Sequence, residues 1–480
     1  MNNFLSRYHP RYVRSLVYML QASEYNVGDY LSWYHRTRNF NYVEKRKSLV
    51  LTIKARISWV IAWIILVLLY ALTILTLWLP IGMTRYIIFL CGILITPYIL
   101  AYALVLPVSF LKILVQKPYE SFLIRRARKK LKAHTGIKIV IAGSYGKTSM
   151  REILKTVLAG SGKNEATVAA PPHSYNTPIS IARFIQDLTG KEEVLIFELG
   201  EYYPGDIRKL CELVEPTIGF ITGINEAHLE KFRTLDQTVN TIFELADWIG
   251  LKTLYVNSEN DLAQSNARPE DILYTREGTG SLKISGAHTD LDGLTFGLLI
   301  DNKQTEFKSK LLGLHNIGPL VAAIDMSLSL GRSVNDIQQG IANTKPFDHR
   351  LEPKTDSQGV TILDDSYNGN PDGVKAVIDF LSSIKGRRRW YVTPGLVEMG
   401  LQTEAVHKRI GTLLAQAGIE KIILIRNSVT SFISQGLIDA GYKGEVIWFD
   451  DALTAFKALS HLTVKDDIVL LQNDWPDQYA

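Results

Sequence analysis

From Ile57 to Pro80 the chain runs for 24 residues without a charge, and from Tyr86 to Leu111 for another 26, with only Ile81–Arg85 between them. As helices rising about 1.5 Å per residue, both runs exceed a bilayer hydrocarbon core of about 30 Å. Two successive uncharged runs of this length predict a transmembrane helical hairpin rather than two buried helices of a soluble core. The first run starts too far along the chain, and is too long, for the apolar segment of a cleavable signal peptide. The flanks set the orientation. Lys45, Arg46, Lys47, Lys54 and Arg56 precede the first span, and Lys112, Lys117 and the basic cluster Arg125–Lys132 follow the second, whereas the connecting loop holds Arg85 alone. The positive-inside rule then puts both termini on the cytoplasmic side of the cell membrane. The Arg125–Lys132 cluster suits anionic membrane lipids or, more plainly, a solvated helix face. Residues 1–44, rich in Tyr, Trp and Arg, read equally as an interfacial amphipathic segment or as a small helical cap of the soluble part.

Charge divides the chain in the same place. Residues 1–137 hold 19 Lys and Arg against 4 Asp and Glu, a net +15, while the remainder stands at −10 within a total of +5. Basicity confined to the membrane-proximal part argues against nucleic acid as a partner. Cys91 and Cys211 are too few for a disulfide scaffold and read as unpaired thiols of a cytoplasmic protein. With 46% hydrophobic and 21% charged residues, the composition excludes a disordered chain.

After the hairpin the patterning changes. Ile137–Ala142 reads as a buried strand, residues 143–149 as a loop and Met150–Leu158 as a helix. Strand, glycine loop, Lys-Thr and helix make a phosphate cradle. Gly143 and Gly146 let backbone N–H groups approach phosphate oxygens, Lys147 can neutralise them, Thr148 can ligate Mg²⁺, and the helix dipole adds attraction. Only two residues separate the glycines, where the usual phosphate-loop motif has four, so a tight strand-to-helix turn stands as the plain alternative. A second apolar strand, Glu193–Glu198, ends in a carboxylate placed to hold the Mg²⁺ of a nucleotide, and a third, Thr217–Thr222, leads to His228.

These segments resemble the ATP-dependent Mur ligases of peptidoglycan precursor synthesis. The phosphate loop, Glu198-Leu-Gly and Ala227-His228-Leu-Glu occur in the family's order. So do Gly313-Leu-His315-Asn316, His349-Arg350-Leu-Glu352 and the octapeptide Asp364-Asp365-Ser366-Tyr367-Asn368-Gly369-Asn370-Pro371, the last being similar to the MurF branch. Thr393–Gly400 and His407 also look like that branch. The resemblance covers about residues 135–480 and implies an α/β fold: a phosphate-loop ATPase domain followed by a C-terminal Rossmann-like domain, preceded by two transmembrane helices. The expected divisions are an N-terminal segment at 1–56, the hairpin at 57–111, a basic linker at 112–136, the ATP-binding domain at 137–343 and the C-terminal domain at 344–480.

The resemblance further implies an ATP-dependent ligase that forms an amide through an acyl phosphate. ATP and Mg²⁺ would be its cofactors, and a muropeptide or lipid-linked cell-wall precursor its acceptor. The amine of an amino acid or dipeptide such as D-Ala-D-Ala would be the second substrate. Lys147, His228 and Arg350 would be catalytic; Thr148, Glu198 and His228 would hold the metal. Gly143, Ser144, Gly146, Lys147, Thr148, Ser149, Asn316, Arg350, Asp365, Tyr367 and Asn368 would bind the nucleotide. The chain departs from the family pattern at Ile242, where a lysine is expected, at Pro319 in place of an asparagine, and at Gln472–Trp475. It also shows a hairpin and basic linker where MurF-type enzymes carry a domain for the UDP end of the substrate, which implies a substrate met at the membrane face. A poly-γ-glutamate-type ligase on the same fold, or a non-catalytic membrane adaptor, are the alternative readings.

Overall fold

The computed structural model describes residues 2–23, 25–44, 48–160, 167–172, 175–225, 234–250, 252–280, 282–367, 369–397 and 399–473. They fall into two compact units, residues 1–122 and 123–475. Asn368, Glu398 and His228, the last within 226–233, lie outside the described residues.

In the first unit the helices Ile53–Leu75 and Thr84–Ala103 are long and apolar enough to cross a membrane. Their outer faces carry exposed Val67, Leu68, Leu72, Ile87 and Leu90. Helices Tyr12–Ala22 and Val27–Arg36 share one core with the hairpin, in which Leu16, Tyr30, Phe40, Ala62 and Leu100 are fully buried. Their tyrosines explain why. Pro97 lies inside the second long helix, where it donates no backbone bond. Tyr8, Tyr12 and Tyr30 donate their hydroxyls to the carbonyls of Leu94, Pro97 and Ala101 at 2.6, 2.9 and 3.0 Å.

The second unit holds two sheets. In chain order the strands of the first are β1 (Ile137–Ala142), β2 (Val168–Ala169), β3 (Val194–Glu198), β4 (Ile218–Ile221), β5 (Thr253–Asn257), β6 (Ile272–Thr275), β7 (Gly278–Thr279), β8 (Leu282–Thr289), β9 (Leu294–Ile300) and β10 (Lys303–Ser309). Their spatial order is β10-β9-β8-β7-β6-β5-β4-β1-β3-β2, parallel from β2 to β6 and antiparallel from β7 onward. Strand alternation builds two cores. Ile139 and Ile141 face one cluster and Val140 and Ala142 the other. Because β1 lies between β3 and β4, the carboxyl ends of all three meet at a topological switch point, where open α/β sheets bind ligands.

The second sheet comprises β11 (Glu352–Thr355), β12 (Thr361–Asp365), β13 (Arg389–Thr393), β14 (Lys421–Ile425), β15 (Glu445–Phe449) and β16 (Ile468–Gln472). Its order is β11-β12-β16-β13-β14-β15, all parallel except the edge strand β11. Boundaries differ from the sequence reading: β3 starts one residue later, and β4 starts one later and ends one earlier. The helix after the phosphate loop starts at Lys147, not Met150, because Gly146 at φ +80° supplies its first cap position. The basic stretch after the hairpin is helical over Lys117–Lys132, and its Leu123, Ala127 and Leu131 are buried in the second unit.

Candidate functional site

The site begins where β1 ends. Gly143 lies at φ +144°, and a Cβ there would sit 2.3 Å from Thr222 Oγ1. Only glycine fits that approach. Ser144 N–H donates to the Gly223 carbonyl at 2.7 Å, and Thr222 donates to the carbonyls of Ala142, at 3.2 Å, and Tyr145. The loop is thereby stitched to the end of β4. It delivers Lys147, Thr148 and Ser149 as the first turn of helix Lys147–Ala159, whose N–H groups have no partner within the helix.

Two carboxylates from β3 and the loop after it meet that turn. Lys147 Nζ donates to the Gly143 carbonyl and to both oxygens of Glu201, at 2.8 and 2.9 Å. Thr148 Oγ1 donates to Glu198 Oε2 at 3.1 Å, while Arg151 Nη1 lies 2.8 Å from Glu198 Oε1. Glu198 is 2% exposed, and its burial raises its pKa against the pull of Arg151 and Lys147. The sequence reading named Lys147, Thr148 and Glu198 but missed Glu201, Arg151 and Thr222. Glu201 had a signal, as a second acid three residues after Glu198 in the loop that ends the same strand.

A cavity of about 410 Å³ opens beside the phosphate loop, walled by Gly146, Ser149, Asn316, Arg350, Asp365 and Tyr367 among others. Gly143, Ser144, Lys147 and Thr148 are not in its wall; Lys147 and Thr148 sit between Gly146 and Ser149 in the same turn. Asn316 donates to the Leu312 carbonyl at 2.8 Å and lies 3.2 Å from His315 Nε2. Burial, reinforced by Arg276, pushes the His315 imidazole down to about 4, so it is neutral at pH 7. The Arg350 guanidinium stands 5.2 Å from the centre of the Tyr367 ring. Asp365 accepts Leu351 N–H at 3.2 Å. Burial pushes its carboxyl up to about 7, with Arg350 and the Leu351 N–H opposing and Asp364 adding to the rise.

The two sheets are joined at this cavity. Asn225, just past β4, donates to Asn370 Oδ1 at 2.9 Å and Asp372 Oδ2 at 2.8 Å, at the start of helix Pro371–Ser383. That link and the Glu259–Arg276 ion pair in the cavity wall, 2.9 Å, were missed by sequence reasoning, since each depends on residues brought together only by the fold.

The departures from the family pattern are structural. Ile242 is fully buried in an apolar core and offers no ligand. Glu244, two residues on, accepts N–H bonds from Gly205 at 2.7 Å and Arg208 at 3.0 Å, capping helix Asp206–Val214. Pro319 is an apolar part of the cavity wall. Gln472 accepts from Tyr391 and Thr393 at 3.1 and 3.2 Å, and Asn473 accepts Gly369 N–H at 3.0 Å, which ties the octapeptide to the end of β16. His407 accepts Leu396 N–H at 2.9 Å and so orders the loop after β13.

A hydroxyl beside a buried carboxylate is the oxygen donor set that Mg²⁺ prefers, so Thr148 and Glu198 fit the ion. Among the described residues no three His, Cys, Asp or Glu side chains gather to hold a metal by themselves. That suits a cation which leans on phosphate oxygens and water.

Residues 141–326 match the family model of the Mur ligase middle domain, and residues 349–472 that of the Mur ligase glutamate ligase domain. The UDP-N-acetylmuramoyl-tripeptide–D-alanyl-D-alanine ligase of Mycobacterium bovis is 28% identical over 304 residues, which cover 60% of this chain and 58% of that protein. The chain thus spans about three fifths of this relative's length. Among solved structures, MurF from Acinetobacter baumannii superposes with a TM-score of 0.63 at 20% identity, covering 74% of this chain and 77% of that one. The MurF ligase of Thermotoga maritima in complex with ADP gives 0.63 at 22% identity, covering 74% and 80%.

Proposed function

The chain belongs to the Mur ligase family, and we propose that it is a membrane-anchored, ATP-dependent ligase that adds D-Ala-D-Ala or a similar amine to a peptidoglycan precursor peptide. The observation that carries this reading is the cavity in which Gly146 and Ser149 of the phosphate loop face Asn316, Arg350, Asp365 and Tyr367 from three other segments.

The chemistry has two steps. A substrate carboxylate oxygen attacks the γ-phosphorus of ATP, giving an acyl phosphate and ADP. The amine nitrogen then attacks the acyl carbon, phosphate leaves, and the nitrogen gives up a proton, leaving an amide. Such transfers depend mainly on positioning and charge stabilisation. Lys147 would turn from Glu201 to the β/γ oxygens. Thr148 and Glu198 would hold Mg²⁺, with His228 as a further ligand and catalytic residue. The ion would neutralise phosphate charge when bound. Gly143 and Ser144 would present backbone N–H groups, Asn316 would meet the adenine, and Arg350, Asp365, Tyr367 and Asn368 would close on the nucleotide from the C-terminal sheet. With the Asn225 link drawn tight, the acyl phosphate would be shielded from water.

The two long apolar helices support insertion in the cytoplasmic membrane, with the α/β unit on the cytoplasmic side beside anionic lipids. The acceptor is then a UDP-linked or lipid-linked muramyl peptide. The test is phosphate release by the membrane-reconstituted protein, with each acceptor offered with and without D-Ala-D-Ala. Release that needs both acceptor and dipeptide, with the matching mass gain on the peptide, is the expected result. ATP binding without any coupling would favour another peptide ligase of the poly-γ-glutamate kind, and no ATP binding a non-catalytic adaptor, for which Ile242 and Pro319 speak.

A further inference from the structure

The turn that carries Arg350 is built from residues that seldom accept its conformation. His349 and Leu351, on either side of the arginine, lie at φ +59° and +49°, in the left-handed region that side-chain-bearing residues rarely enter. Such strain persists only where the surroundings over-determine it, and it concentrates at binding sites.

The surroundings here are two consecutive carboxylates at the end of β12. Their side chains leave the strand on opposite faces, so each takes one flank of the turn. Asp364 Oδ2 lies 2.8 Å from His349 Nδ1, while its Oδ1 accepts from Ser366 Oγ at 2.7 Å and Ser366 N–H at 3.2 Å. Lys354 Nζ stands 3.7 Å from the same carboxylate. Asp365 accepts Leu351 N–H at 3.2 Å. The backbone closes the frame: Arg350 N–H donates to the Phe347 carbonyl at 3.0 Å and Tyr367 N–H to the His349 carbonyl at 3.2 Å. Within this frame the guanidinium rests over Tyr367 in the cavity wall.

A glycine would adopt φ +59° freely. A histidine there adds an imidazole bond to Asp364 that glycine cannot make. We propose that His349 is a positioning residue whose bond to Asp364 fixes the left-handed turn and so aims Arg350 into the nucleotide cavity. The assignment rests on the nucleotide reading of that cavity given above. His349 itself is half-exposed and acts through Arg350.

The test measures Mg²⁺-ADP binding by calorimetry, and thermal melting, on the full chain in detergent. His349→Gly should melt at or above the wild-type temperature, because strain is relieved, yet bind ADP about tenfold more weakly, the scale of one lost charge-assisted hydrogen bond. His349→Asn tolerates the left-handed region and can donate to Asp364, so it should recover most of that affinity. Asp364→Asn should lose affinity as His349→Gly does. In the Arg350→Ala background, His349→Gly should cost no further affinity. Wild-type affinity in His349→Gly, or an undiminished further loss in the Arg350→Ala background, would overturn the assignment alone. Failure of the wild-type chain to bind ADP would overturn the nucleotide reading and this assignment with it.

Discussion

The phosphate loop and the turn carrying Arg350 both bend the backbone to positive φ beside one cavity, but with different residues. The loop uses Gly143 and Gly146, at φ +144° and +80°, where glycine has no Cβ penalty. The turn uses His349 and Leu351 and needs Asp364 and Asp365. What differs is where the charge sits. At the loop the carboxylates Glu198 and Glu201 compensate cations, Arg151 and Lys147, whereas at the turn they brace the backbone and leave the Arg350 guanidinium over an aromatic ring. A glycine loop can be read in a sequence; a turn held by distant carboxylates cannot be read from its own residues.

The largest expected effect breaks the loop side of this contrast. Lys147→Ala removes the cation paired with Glu201, whose side chain is 1% exposed. Stability should fall by about 3–5 kcal/mol, the usual result of orphaning a buried charge, and turnover at least a hundredfold. Adding Glu201→Gln should restore most of the melting temperature and none of the turnover. Recovery of both would mean that Lys147 serves the fold rather than the phosphates. Thermal melting and phosphate release on the two variants decide it.

The turn side is sharpened by pH. Asp365 ionises at about 7 in the folded chain against 3.8 when free, mainly through burial. Between those values the folded state keeps a proton that the unfolded chain has released, so stability should fall as pH rises from about 4 through 7. Fully expressed, the change is about 4 kcal/mol, and it is smaller because Asp365 retains some solvent. Asp365→Asn should flatten the slope. The difference between wild-type and variant melting curves over pH 4–8 isolates this carboxyl from Glu198, which burial shifts in the same direction.

Apolar patterning made much of the α/β fold legible. β1, β3 and β4 are short hydrophobic runs, and β1 has the limits expected of it. β11 escaped because Glu352–Thr355 is a polar edge strand containing Pro353, with no alternation to betray it. The N-terminal helices were ambiguous because their placement depends on tyrosine hydroxyls meeting carbonyls near Pro97, some 70 to 90 residues along the chain. At the site, the residue types announced the phosphate loop and the octapeptide. The side chains that bond them, Glu201 for Lys147 and Asn225 for Asn370, lie 54 and 145 residues away. Local spacing holds no trace of such pairs.

The smallest effect tests whether glycine in the loop is a matter of backbone freedom or of space. Gly143→Ala places a Cβ 2.3 Å from Thr222 Oγ1 and 3.0 Å from the backbone N and O of Gly223, at a φ that alanine resists. The strain should lower stability by about 1–3 kcal/mol and weaken nucleotide binding by a comparable factor. If crowding by the hydroxyl were the whole cause, Thr222→Ala in the same chain would relieve it. That second change removes the nearest atom but leaves the Gly223 backbone and the φ of +144°, and it also breaks the Thr222 bonds to the Ala142 and Tyr145 carbonyls that stitch the loop to β4. The double variant should therefore melt no higher than Gly143→Ala alone. A double variant that regains wild-type melting would show that the loop tolerates a side chain at this φ, as the Arg350 turn does, and the contrast between the two would then lie in packing rather than in backbone conformation.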